Sequence, residues 1–230
     1  HLVVAHERKE SGAFISGQEA TIDEARCLSC GQCRLACRFE AITEVFQVDP
    51  FSCEGCGVCA RFCPAAAITM HERDCGQWFR SESGHGPFLH AQLHIAADNS
   101  GKLVSLLREK AREAAEATGI ELILIDGSPG VGCPVIASVT GADAALLVTE
   151  PSPSGMHDLQ RAAELTRHFG VPTFAVVNKA DLCEEKANEI EAWCAAHEVT
   201  VLGRIPFDPA VLVAMTGKTS LIECSAGPAA

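Results

Sequence analysis

At 230 residues, 47 % of them apolar, the chain has room for one sizeable domain and a small one built around real cores. A net charge of −12 and a pI near 5.2 exclude nucleic acid as the main partner, because phosphate binding needs a clustered basic surface. No apolar run approaches the roughly 18 residues of a membrane span, and thirteen cysteines without a signal-like segment point to a reducing, cytoplasmic setting rather than a disulfide framework.

The chain opens at His1 rather than Met, directly in an apolar run, and is expected to be entered partway through a domain. Leu2 to Ala5 reads as a short strand and His6 to Gly17 as a polar connection. The expected division is a first piece of an α/β domain over 1–17, a small insertion over 18–72, and the remainder of the α/β domain over 73–230.

The insertion holds eight cysteines in two copies of one spacing: Cys27, Cys30, Cys33, Cys37, then Cys53, Cys56, Cys59, Cys63. The repeat extends beyond them, with Ile22-Asp23 matched by Val48-Asp49 and Ala41-Ile42 matched by Ala67-Ile68, which implies two related half-domains. Zinc favours four ligands in paired knuckles, whereas a doubled three-plus-one pattern suits two [4Fe-4S] cubanes. Gly31, Gly55 and Gly57 suit tight wrapping of the chain around an inorganic core. The run resembles that of two-cluster ferredoxins, in which the fourth cysteine of each run ligates the other cluster. That resemblance implies Cys27, Cys30, Cys33 and Cys63 for one cluster, and Cys53, Cys56, Cys59 and Cys37 for the other. Cys63 is followed by Pro64, as in that pattern, but Cys37 is followed by Arg38. Few apolar residues other than cysteine lie here, so the fold is expected to depend on its metal.

His71 to Gly86 reads as a linker or hairpin. From Phe88 onward, strands alternate with helices: a strand to Ile95, a helix from Lys102 to Thr118, a buried strand Glu121 to Asp126 and a helix from Pro134. Strand Ala144 to Thr149, helix Gly155 to Phe169, strand Val171 to Asn178 and helix Glu184 to His197 follow. Strand Val199 to Ile205 and a short helix Asp208 to Met215 close the series. Apolar strands between amphipathic helices predict an α/β domain with a mostly parallel sheet and helices on both faces.

Ligands of such sheets bind at the carboxyl ends of the strands, and the polar residues expected there are suggestive. Asp126 closes an apolar strand ahead of Gly127-Ser128-Pro129-Gly130, the arrangement that brings a carboxylate to nucleotide-bound Mg²⁺. Asn178-Lys179-Ala180-Asp181 supplies an amide able to read a purine edge, and Pro206 begins the loop after the last strand. The candidate nucleotide-binding residues are therefore Asp126, Pro129, Gly130, Asn178, Asp181 and Pro206. ATP and GTP both remain open at this point.

With these residues, with Asn99-Ser100-Gly101-Lys102, with Thr149 to Gly155 and with Gly203-Arg204-Ile205-Pro206-Phe207-Asp208, the chain resembles the MinD/ParA-type P-loop ATPases that carry an inserted two-cluster ferredoxin domain. The resemblance implies ATP and Mg²⁺, a redox or iron-sulfur client protein, a possible homodimer, and nucleotide control of electron transfer or cluster delivery. It also implies a Walker A loop ahead of the insertion, which these 230 residues do not contain. Ser100-Gly101-Lys102 is no substitute: Ala96 stands where the first glycine belongs and Leu103 where the Mg²⁺-binding hydroxyl belongs. Gly217-Lys218-Thr219 fails likewise, with Leu212 in place of the glycine. No ATP hydrolysis is expected, and a nucleotide-independent electron carrier or binding module is the alternative reading. Membrane positioning in the manner of MinD itself lacks its basic amphipathic helix at the C-terminus. Cys75, Cys183, Cys194 and Cys224 read as structural or exposed thiols, Cys133 as a small buried core residue rather than an activated thiol at a helix N-terminus, His85, His90 and His94 as packing residues, and Glu184-Glu185 as the first turn of a helix.

Overall fold

The computed structural model describes residues 4–95, 97 and 101–225. Part of the expected first strand, Ala96, Asn99-Ser100 and the tail from 226 lie outside them. No helix among the described residues is long and apolar enough to cross a membrane. The chain divides into two compact units: residues 11–79 with 91–98, and residues 1–10 and 80–90 with 99–230.

The segment expected to be a polar connection is instead a long strand, β1 (His6–Ile22), which joins β2 (Ile68–Ser83) and β3 (Gly86–Leu93) in a sheet of order β1-β2-β3. Its polar residues misled because one side of the strand is solvated while Phe14 and Ala20 are buried on the other. Gly12 has a structural reason: a Cβ there would lie 2.6 Å from Nε1 of Trp78. A two-residue turn closed by Ser83 Oγ donating to Gly86 O (2.8 Å) makes β2 and β3 an antiparallel hairpin.

The α/β part begins with α3 (Gly101–Thr118) and α4 (Cys133–Val139), which follow two short helices in the cysteine segment, α1 (Gln32–Ala36) and α2 (Val58–Arg61). Then come β4 (Ala145–Thr149), α5 (Pro153–His168), β5 (Thr173–Asn178), a 3-10 turn (Ala180–Leu182), α6 (Glu184–Ala196), β6 (Thr200–Ile205), α7 (Ala210–Thr216) and α8 (Leu221–Ser225). Strands β4, β5 and β6 form a parallel sheet in that order, with Leu147 beside Ala175 and Thr149 beside Val177. Ser152 starts α5 by accepting from Gly155 N (3.0 Å), with Pro153 at the first helical position.

The core of this unit lies between β5 and the helices α5 and α6, where Ala175, Val177, Ala187, Ile190 and Cys194 are inaccessible to solvent. Alternation along the strands turns Leu146, Val148 and Leu202 to the other side, where they are exposed. Arg204 fastens β6 to α6 through paired bonds to Glu191 Oε1 and Oε2, both 2.7 Å, and this fork holds the Glu191 carboxyl below its usual range.

The expected strand Glu121 to Asp126 is corrected by the structure: these residues belong to no strand, and Leu122 and Leu124 are 70 % and 86 % exposed. An apolar run becomes a strand only when a neighbouring strand accepts its hydrogen bonds, and none of the described strands pairs with it.

Ile190→Ala removes a fully buried side chain and is expected to destabilise the α/β unit by about 2–5 kcal/mol. Leu146→Ser, on the open face, is expected to change stability by less than about 0.5 kcal/mol. Urea denaturation of the two variants checks the contrast.

Candidate metal centres

The two cysteine half-repeats share their backbone conformations as well as their sequence. Left-handed glycines, Gly31 (φ 75°) and Gly57 (φ 73°), precede α1 and α2, which carry the buried Cys33 and Cys59. One residue before Cys30 and Cys56, Ser29 (φ 51°) and Gly55 (φ 63°) are both left-handed, and so are Glu40 (φ 53°) and Ala66 (φ 45°) after the fourth cysteines. The helix ends repeat too, with Cys37 N donating to Arg34 O (3.3 Å) and Cys63 N to Ala60 O (3.4 Å).

The halves are then exchanged across an approximate twofold relation. Asp23 N of the first half donates to Ala67 O of the second (2.8 Å), and Asp49 N of the second to Ala41 O of the first (2.7 Å). Each Asp side chain closes its own loop, accepting from Ala25 N (2.9 Å) and Phe51 N (3.0 Å) respectively. Since Ala41 and Ala67 each lie four residues after a fourth cysteine, the exchange carries Cys37 towards the second run and Cys63 towards the first.

Two separate cavities result. One is lined by Cys27, Cys30, Cys33 and Cys63, with Ile22, Phe46 and Ile68 among its apolar walls. The other is lined by Cys53, Cys56, Cys59 and Cys37, with Ala20, Ile42 and Val48. All described cysteines are free thiols, and Cys133, expected in the core, is instead exposed because it opens α4 at its first residue. Burial pushes the Cys33 and Cys59 thiols up first of all, and nearby thiols add to it: Cys27 and Cys30 for Cys33, and Cys53, Cys56 and Cys37 for Cys59. Backbone N–H groups pull the other way, from Arg34 and Ala60 respectively. Ala67 N donates to Cys63 Sγ at 3.3 Å, the kind of contact that stabilises a thiolate.

These donor sets fit a [4Fe-4S] cluster in each cavity. Among the described residues no three His, Cys, Asp or Glu converge tightly enough to hold a single ion, whereas a cubane takes its thiolates at four separated corners. Residues not singled out from the sequence also border the cavities. Arg26 donates to Ala65 O (3.3 Å) at the first, and Arg73 to Cys53 O (3.3 Å) and Pro50 O (3.0 Å) at the second. No sequence signal marks Arg73, which reaches its partners from β2.

The nucleotide candidates divide into two groups. Loops at the carboxyl ends of the parallel strands meet where Asp181 Oδ1 accepts from Phe207 N (2.6 Å), beside Pro206, and where Lys179 Nζ reaches Glu150 Oε1 (2.6 Å). Asn178 ends β5 and its Oδ1 accepts from Lys179 N (3.1 Å), with Lys179 itself left-handed at φ 53°. Asp126, Pro129 and Gly130 lie on the segment between α3 and α4, and no described hydrogen bond ties them to those loops. Gly101-Lys102 forms the first turn of α3, and Gly217 caps the C-terminus of α7.

Residues 20–43 and 46–69 each match the family described as 4Fe-4S binding domain. An uncharacterized protein of Methanocaldococcus jannaschii is 35 % identical over 153 residues, covering 66 % of this chain and 53 % of that one. An uncharacterized ATP-binding protein of the same organism is 28 % identical over 117 residues, covering 50 % and 44 %. The chain thus spans about half the length of the curated relatives it matches. Among solved structures, the cell division ATPase MinD of Pyrococcus furiosus superposes with a TM-score of 0.44 at 20 % identity, covering 59 % of this chain and 54 % of the other. The chain is an α/β iron-sulfur protein with two 4Fe-4S binding domains, a class suited to electron transfer. In its quoted motifs it resembles MinD-type ATPases carrying such an insertion.

The equivalent turn residues give a paired prediction. Ser29→Gly removes a left-handed non-glycine and is expected to stabilise the metal-free protein by roughly 1 kcal/mol. Gly55→Ala places a Cβ 1.9 Å from Gln18 O and is expected to destabilise it and lower cluster occupancy in the Cys53 half. Denaturation midpoints and iron content of the two variants check both.

Proposed function

We propose that Cys27, Cys30, Cys33 and Cys63 hold one [4Fe-4S] cluster and that Cys53, Cys56, Cys59 and Cys37 hold the other. The observation that carries this reading is the grouping of each fourth cysteine with the opposite run around a separate cavity. When bound, each cluster supplies a one-electron couple. The protein's part is to shield and position it: Cys33 and Cys59 bury their sulfurs, Cys30 and Cys56 stay exposed, and Ala67 N–H stabilises the Cys63 thiolate. The exposed cysteines offer the short path to a redox or iron-sulfur client protein in the cytoplasm.

For the α/β unit we propose control by nucleotide. Asp126 serves the Mg²⁺, Asn178 and Asp181 serve the base, and Pro129, Gly130 and Pro206 shape the neighbouring loops, so that, where the Walker A loop implied by the resemblance is supplied, nucleotide state governs electron transfer or cluster delivery, with a homodimer as the acting form. The relative described as ATP-binding and the motif resemblance support this reading. A nucleotide-independent electron carrier is the second reading, and the engagement of Asp181 by Phe207 N–H and of Lys179 by Glu150 favours it.

Protein purified or reconstituted without oxygen is expected to carry roughly eight iron and eight sulfide per chain. Stoichiometric zinc without iron would count against the assignment. Cys63→Ala is expected to damage the cluster of Cys27, Cys30 and Cys33; spectroscopic loss confined to the Cys53 half would refute the crossing. With Ala96 and Leu103 standing where a phosphate loop needs a glycine and a hydroxyl, the 230-residue polypeptide is expected to bind Mg²⁺-ATP no tighter than about millimolar, some 4 kcal/mol. Micromolar binding abolished by Asp126→Ala, measured by calorimetry, would overturn that expectation.

A further inference from the structure

The two half-repeats differ in charge at one wall of their cavities. In Cys27-Leu28-Ser29-Cys30 and Cys53-Glu54-Gly55-Cys56 the residues after the first cysteine are equivalent, and Leu28 lines the first cavity as Glu54 lines the second. Glu54 is exposed, and none of the described hydrogen bonds or ion pairs engages its carboxylate. The arginines that reach the cavity walls are matched, Arg26 on the Ala65 carbonyl and Arg73 on the Cys53 carbonyl, each at 3.3 Å. Arg38 does not line the second cavity; its guanidinium lies over the ring of Phe39, which does, 5.2 Å from the ring centroid. The hydrogen bond from Ala67 N to Cys63 Sγ belongs to the first cavity, and no counterpart to Cys37 is described.

We propose that Glu54 lowers the reduction potential of the centre held by Cys53, Cys56, Cys59 and Cys37, biasing a single electron towards the Leu28 half. The inference rests on the cysteine assignment proposed above. Reduction adds one electron, and so one negative charge, within a cage of four thiolates, with no proton taken up and no bond broken. A fixed carboxylate at the wall opposes that added charge, and cluster potentials follow net charge, hydrogen bonds to sulfur and solvent exposure. Leu28 adds no charge at the equivalent wall. Because Glu54 faces solvent, its effect is screened as salt rises.

The test is a redox titration of the reconstituted full chain with dithionite as the one-electron donor, followed by electron paramagnetic resonance and accompanied by iron and sulfide analysis. Glu54→Gln is expected to raise one of the two midpoint potentials and leave the other in place, read as a larger reduced fraction at fixed ambient potential, tenfold for each 59 mV. Glu54→Asp keeps the wild-type value, and Leu28→Glu lowers the potential of the other centre. Each shift shrinks at high ionic strength. Two full clusters with both potentials unmoved by Glu54→Gln, or moved equally, overturn the role of Glu54. A wild-type chain that takes up no iron overturns the cysteine assignment instead, and the inference with it.

Discussion

Each half of the cysteine domain is completed by the other. Asp23 bonds to Ala67 and Asp49 to Ala41, and these two backbone contacts carry the chain after each short helix across to the opposite half. The fourth thiol of each cavity comes with that crossing, so neither half alone closes a four-thiol cavity. Equivalence of the halves extends to the left-handed residues at 29 and 55 and at 40 and 66, where only the first pair shows the cheaper solution, glycine, in one member. The strain tolerated at Ser29, Glu40 and Ala66 indicates how tightly the surrounding bonds determine the path.

That domain spends its buried volume on ligands. Its core consists of Ala20, Ala41, Ile42 and Ile68 together with Cys33, Cys53 and Cys59, so part of what would be hydrocarbon in an ordinary small domain is sulfur facing a cavity. Burial pushes the Cys33 and Cys59 thiols up, and a metal takes its cysteines as thiolates, so ligation releases protons. Metal binding is thereby linked both to pH and to folding. The long strands β1 and β2, anchored by Trp78 against Gly12 and by Cys75 Sγ donating to Ser16 O at 3.0 Å, give the cysteine segment a scaffold that does not itself consist of the eight cysteines.

The α/β unit follows a different economy. One face of its sheet is closed by α5 and α6 over a dense aliphatic core, while Leu146, Val148 and Leu202 remain accessible on the other, and Leu122 to Ile125 pair with none of the described strands. Its polar residues gather instead at the carboxyl edge, where the loops after β4, β5 and β6 are joined through Glu150, Lys179, Asp181 and Phe207. The edge is thus organised before any ligand arrives.

The cysteine spacing, the repeat and the helices from 101 to 216 were legible in the sequence, because cluster wrapping and helical hydrogen bonding are local: the groups that must meet lie within a few residues. Asn178 as the last residue of a strand and Asp181 in the turn that follows were legible for the same reason. The strand character of His6 to Gly17 was not legible, since it depends on pairing with β2, some 60 residues away, and on a single buried side for Phe14 and Ala20. The apolar run Glu121 to Asp126 erred in the opposite direction, having strand composition but no neighbour in the described sheet. Arg73 at the Cys53 carbonyl and the reciprocal bonds of Asp23 to Ala67 and Asp49 to Ala41 likewise appear only in three dimensions. The sequence by itself determined which atoms can bind metal and which segments can coil; the tertiary structure decided which strands pair and which thiols share a cavity, because those bonds are made between residues that only folding brings together.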